Sequence, residues 1–223
     1  VEKNRELIMA TVELDLITDH AELARYISGI IKEVARSKSR KIAHELKVVI
    51  QGIIRTSIEV QPAYHSLVSS GPFTLSSMFG LSDGKERIES IVNTLINSIK
   101  VVISSVPGRK IGVYIDVVSS LDYDDLIRLR AASVSIEGGS LPWLEWLLTR
   151  GSEILIADYD VAYGDFPESR SGSSIMVASS SGFSIPPEFA GTASDNFFTR
   201  AIEDAIPNIT TAVETIIPRV FNA

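Results

Sequence analysis

The chain has no cysteine and only three histidines, His20, His44 and His65. The first absence removes disulfides, thiolate nucleophiles and the common cysteine-based zinc sets, and is compatible with a reducing cytoplasm. The second leaves three imidazoles scattered along the sequence, which make no metal cluster. No apolar run reaches the roughly 18 residues that a membrane-spanning helix needs, and the opening VEKNRE is no signal peptide. A start at Val1 implies that a Met or a longer segment has been removed. An excess of positive charge is also missing: 21 basic against 28 acidic side chains give −7. That is the wrong sign for a protein that wraps nucleic acid, and the right one for a protein that lets nucleic acid pass without holding it. Aromatic residues make up 7% and are not interleaved with Lys and Arg as a base-stacking platform requires.

What is present is enough apolar material for a core, 45% of 223 residues. The pattern predicts one α+β domain over residues 1–223. Residues 8–17 alternate as a half-buried strand. Asp19 and Glu22 make a capping pair for a long helix over 19–60, with a break or kink expected at RSKSRK, 36–41. Ile88, Ile91, Val92, Leu95 and Ile96 mark the core face of a second helix opening at Ser82 or Asp83. Strands at 99–105 and 110–118 form a hairpin about Pro107-Gly108. They open an antiparallel sheet-forming region, about 99–187, which includes a short capped helix at 121–130 and strands at 133–137 and 153–164. A short helix, 141–148, has Pro142 in its first turn. A C-terminal helix follows over 195–221, kinked or restarted at Pro207.

Chemistry-bearing patterns are sparse. Asp116, Asp122, Asp124 and Asp125 are the densest acidic cluster and could be drawn as the two-metal site of a hydrolase. Helix opening and solvation at strand ends account for them better. No catalytic residue, cofactor site or metal site is assigned, and the chain reads as non-enzymatic. The docking features are stronger. In GFSIPPEFAGTASDNFFTRAI, 182–202, Pro186 and Pro187 stiffen the exit from a strand, Gly191 frees a turn, and Ser194 or Asp195 can cap the next helix. The candidate subunit interface is Trp143, Trp146 and Leu147 on the short helix, with Pro186, Pro187, Phe189, Phe197, Phe198 and Arg200. Phe197 and Phe198 form an expected inter-subunit latch. The polar loop 165–174, with Asp165, Glu168 and Arg170, reads as a mobile hairpin tip facing a lumen or the next ring.

The segments SRKIAHELKVVIQGIIRTSIEVQPAYHSL, GLSDGKERIESIVNTLINSI, GSLPWLEWLLTRG, SRSGSSIMV and IPPEFAGTASDNFFTRAI occur in that order. In this the chain resembles virion structural proteins of tailed bacteriophages, and is similar in particular to the neck and tail-completion proteins of the head-to-tail connector. The likeness covers most of residues 40–205. The resemblance implies a curved antiparallel sheet flanked by the N-terminal and C-terminal helices. It further implies a non-enzymatic homo-oligomeric ring of six- or twelve-fold symmetry in the virion at the head–tail junction. Such a ring would contact neighbouring connector and tail proteins and pass double-stranded DNA without sequence-specific binding, with no membrane and no cofactor. A tail-tube, tail-terminator or baseplate component of the same virion is the alternative, and a metal-dependent hydrolase a third reading.

Overall fold

A computed structural model describes residues 21–106, 110–116, 123–136 and 139–222. The expected strand at 8–17, together with Asp19 and Asp122, lies outside them. Helix α1, Ala21–Glu59, is followed by α2 (Pro62–Val68), α3 (Leu75–Met78) and α4 (Gly84–Ser98). Hairpin strands β1 (Lys100–Val106) and β2 (Lys110–Asp116) come next. Then come α5 (Tyr123–Ile127), a 3-10 turn (Arg130–Ala132), β3 (Val134–Ile136), β4 (Gly139–Leu141) and α6 (Trp143–Thr149). Strands β5 (Ile154–Ile156), β6 (Tyr159–Tyr163), β7 (Ser174–Ala178) and β8 (Phe183–Ser184) lead to α7, Phe197–Asn222.

The fold is α+β with long N- and C-terminal helices and antiparallel pairing throughout. Among the described residues the strands do not join into one sheet: they form four two-stranded ladders, β1–β2, β3–β4, β5–β8 and β6–β7. The expected single strand at 153–164 is cut in two because Asp158 takes φ +61°, a conformation that Asp tolerates better than most residues. The carbonyl of Asp158 then accepts from the Ser179 amide at 2.9 Å, so β6 turns toward β7 while β5 stays with β8.

The chain divides into two compact units. The first comprises residues 1–53, 99–119 and 206–223, and the second 54–98 and 120–205. In the first, Ile42, Leu46 and Ile50 of α1 are buried at four-residue spacing. The stripe begins at Ile42, just after the expected break, and α1 is continuous over 36–41. The weak helix propensity of Ser37 and Ser39 is too small a cost to end a helix that runs on into this stripe. In α7, Pro207 and Pro218 lie inside the helix without ending it. Both prolines are exposed, while Ile209, Val213, Ile216, Ile217 and Val220 are buried. Arg219 of α7 reaches the Glu45 carboxylate of α1 at 2.6 Å.

The second unit centres on α4, whose Ile88, Ile91, Val92, Leu95 and Ile96 are buried as the helical spacing predicts. At Gly84, the first residue of α4, a Cβ would lie 2.6 Å from the Leu67 carbonyl oxygen, so only glycine lets the two segments approach this closely. Arg87 secures the 3-10 turn by donating to the carbonyl of Ser133 at 2.7 Å, and its Nε pairs with Asp83.

Candidate functional site

Helix α6 and the segment that follows β8 carry the residues expected at an interface, and four of the nine, Trp143, Leu147, Phe197 and Phe198, are buried. Trp143, Leu144, Leu147 and Leu148 are fully buried. The Trp143 ring stands 6.1 Å from Phe79, its indole N–H donates to the Ala131 carbonyl at 2.9 Å, and Phe79 meets Phe183 edge-on. Phe197 and Phe198, expected as a latch, are 2% and 3% exposed with ring centroids 4.1 Å apart. Two adjacent rings can both be buried because the chain upstream folds over them. A turn closed by Phe189 and Ala190 amides on the Pro186 carbonyl brings Gly191 against α6. A Cβ on Gly191 would lie 2.6 Å from Asn196 Cβ and 2.9 Å from the Leu147 carbonyl oxygen. Gly191 is therefore required for close approach more than for turning.

The helix cap is Asn196, not Ser194 or Asp195. Its buried Oδ1 accepts from the amides of Phe198 at 3.1 Å and Thr199 at 3.2 Å, and Thr199 Oγ1 accepts from the Asn196 amide. This is a reciprocal capping arrangement that satisfies helix amides and the cap amide together. Asp195 instead pairs with Arg200 at 2.7 Å, and Arg200 also donates to the Ala190 carbonyl. Arg200 thus holds its own turn closed. Of the expected interface set, Pro187 is exposed and Trp146, Pro186, Phe189 and Arg200 are half-buried. The others face inward.

The loop 165–174 is ordered by its own backbone. The Phe166 amide donates to Gly172, Ser169 to Phe166, Gly172 to Ser169 and Gly164 to Ser173. Asp165, Glu168 and Arg170 are all exposed, as a solvated tip requires. The Arg170 guanidinium lies over Gly80, where a Cβ would sit 3.2 Å from Nη2 and where φ is +62°. Nη1 donates to the Ser135 carbonyl at 3.4 Å.

Arg170 forms one wall of a half-open cleft of about 230 Å³. Apolar side chains of α3, β5, β6 and β8, among them Met78, Phe79, Ile156, Val161 and Phe183, line the rest, with Ser77, Ser169, Ser171 and Ser174. No family model, curated protein or solved structure matches the chain. The site is therefore read from its geometry alone. Ser174 is buried and donates to the Ser77 carbonyl, and it shares a hydrogen bond of 2.9 Å with Ser171. Ser169 differs: its Oγ is buried without a hydrogen-bond partner.

A second surface lies on β5 to β7. Ile154 is 62% exposed, Tyr159 47% and Met176 40%. Tyr159, Val161 and Tyr163 share a face of β6 by alternation, and Tyr163 packs at 4.3 Å against Phe73. Phe73 is 70% exposed and has φ +63°, a strained conformation for an aromatic residue. Sequence reasoning missed Ser169, Phe73, Tyr159 and Met176. Alternation marks one face of β6 as apolar, but it cannot say that this face is left uncovered.

The acidic cluster does not assemble into a described site. Asp124 and Asp125 open α5, are exposed, and Asp124 stands 3.9 Å from Arg128. Among the described residues no group of three or more metal-binding side chains occurs. No helix is long and apolar enough to cross a membrane, also among the described residues.

Proposed function

We propose that the chain is a non-enzymatic structural subunit of a tailed-phage virion, forming a closed homo-oligomeric ring at the neck between head and tail. The observation that carries this reading is the uncovered ribbon of β5, β6 and β7. Large apolar side chains stand outside on strands that, among the described residues, each pair on one edge only. Open strand edges and clustered exposed apolar groups are what an isolated monomer avoids and an assembling subunit needs. Ring closure requires two different complementary patches on each copy, and this ribbon supplies one. It replaces the Phe197–Phe198 latch in that role, because both rings are spent on the fold. The resemblance of the segment order to neck and tail-completion proteins supplies the virion context. The net charge of −7 suits a channel through which a polyanion slides.

Native mass spectrometry and electron microscopy of the purified full chain test the reading. A discrete ring is the expected result, with labelled subunit found at the head–tail junction of the particle. A chain that stays monomeric at its highest soluble concentration, and that also fails to close on isolated connector or tail complexes, would overturn it.

A further inference from the structure

We propose that the neighbouring copy in the ring docks by adding an extended strand to the outer edge of β7. The inference rests on the ring reading and names the backbone groups that make the contact. In an antiparallel ladder, pairs that exchange both hydrogen bonds alternate with pairs whose amides and carbonyls point away from the partner strand. The Gly164 amide donates to the Ser173 carbonyl at 3.1 Å and the Ser179 amide to the Asp158 carbonyl at 2.9 Å, one couple at each end of the β6–β7 ladder. Counting inward by two, Ala162–Ile175 and Asp160–Val177 exchange hydrogen bonds. Val161–Met176 and Tyr159–Ala178 therefore turn their main-chain groups to the outer edges.

The two outer edges differ. On β6 the Asp160 carboxylate accepts from the Val161 amide at 2.7 Å and from the Ser181 hydroxyl at 3.1 Å. A charged side chain folded over a strand edge closes it to a further strand. On β7, Met176 and Ala178 are exposed, and among the described residues no hydrogen bond reaches their amides or carbonyls. The strand has no proline, and its register with β6 runs without a shift. From Ser171 to Pro187 no side chain is charged, so this edge lacks the devices that keep open strands apart. The same neutrality fits a second copy as the occupant. Two chains that each carry −7 repel wherever carboxylates face each other, and here none stands along the strand.

Residue-resolved amide hydrogen exchange of the full chain, as dilute monomer and as assembly, tests the proposal. The Ile175 and Val177 amides, which face β6, should be protected in both. The Met176 and Ala178 amides should exchange freely in the monomer and slow by about tenfold or more on assembly. Ala178→Pro deletes one outward amide without removing apolar surface, and should weaken association by about fivefold or more. Ala178→Ser keeps the amide and should assemble like the parent. If Ala178→Pro does not fold, the exchange pattern of the parent decides. An assembly that forms with Met176 and Ala178 still exchanging freely would overturn strand addition and leave the ring intact. Protection of both amides already in the dilute monomer would also overturn it, because the edge is then covered within the chain. Protection that arises only when isolated connector or tail complexes are added would overturn the second copy as occupant. A chain that never assembles, alone or on those complexes, would remove the ring reading and this inference with it.

Discussion

The segment 186–200 and the ribbon β5–β7 are both rich in large apolar side chains, yet they end on opposite sides of the solvent boundary. In the first, Phe197 and Phe198 are inside, every turn is closed by named hydrogen bonds, and Gly191 is pressed against α6. In the second, Ile154, Tyr159 and Met176 stay outside on strands that pair on one edge only among the described residues. Apolar content alone therefore says nothing about role. The difference lies in whether a neighbouring segment of the same chain is shaped to cover the side chains.

The largest break in this contrast is expected from Phe197→Ala combined with Phe198→Ala. Each truncation of a buried ring costs about 3–5 kcal/mol, comparable for the pair to the whole stability of a domain. Urea unfolding followed by near-ultraviolet circular dichroism should show loss of the second unit. A double variant that folds normally but fails to assemble would restore the latch. Next comes the covering segment itself. Gly191→Ala must displace Asn196 or the Leu147 carbonyl and should cost about 1–3 kcal/mol. Asn196→Ala removes a buried cap and should cost about 1–2 kcal/mol. Both are read as shifts in urea midpoint, and a midpoint unchanged in either would mean that the segment is loosely docked.

The ribbon should respond in the reverse way. Tyr159→Ser with Met176→Ser should change monomer stability by less than about 0.5 kcal/mol per site. The same variant should lower the assembled fraction in native mass spectrometry. An unchanged assembled fraction would remove the ribbon from the interface. The smallest expected effect is at high pH. Burial, and then the nearby Asp160 carboxylate, raise the Tyr163 pKa above the ordinary value. The folded state therefore holds the phenol proton more tightly than the unfolded chain does. Stability from this source is complete below the unfolded tyrosine value near 10 and falls as pH rises from there through the folded value. Tyr163→Phe should flatten that alkaline decline in urea midpoint, and an identical decline in the variant would show that the phenol does not contribute.

Much of the secondary structure was legible because local patterns report it. The α1 range, the hairpin of β1 and β2, the core face of α4 and the start of α6 beside Pro142 all follow from spacing and turn chemistry. Neither α1 at 36–41 nor α7 at Pro207 is broken, and in α7 the buried stripe outweighs the local cost of the proline. The cap was misplaced by one residue, as Ser194, Asp195 and Asn196 are all competent caps. Only the buried position of Asn196 and the claim of Arg200 on Asp195 decide among them. The candidate site was less legible. Arg170 was visible as a cation in a serine-rich loop, but Gly80 and Ser135, which hold it, are far away in sequence.

By itself the sequence determined the class of fold, the periods of its helices and strands, and the need for apolar faces to be covered. Those properties depend on residues within one or two turns of each other, where spacing and propensity act directly. Tertiary structure alone decided which face was covered, which of three adjacent residues capped α7, and that the exposed Arg170 lies against Gly80. Each of these outcomes depends on partners distant in the chain: Leu147 against Gly191, Ala131 beneath Trp143, Gly80 under Arg170. A side chain's pattern states what it requires, and only close packing with remote neighbours settles where that requirement is met.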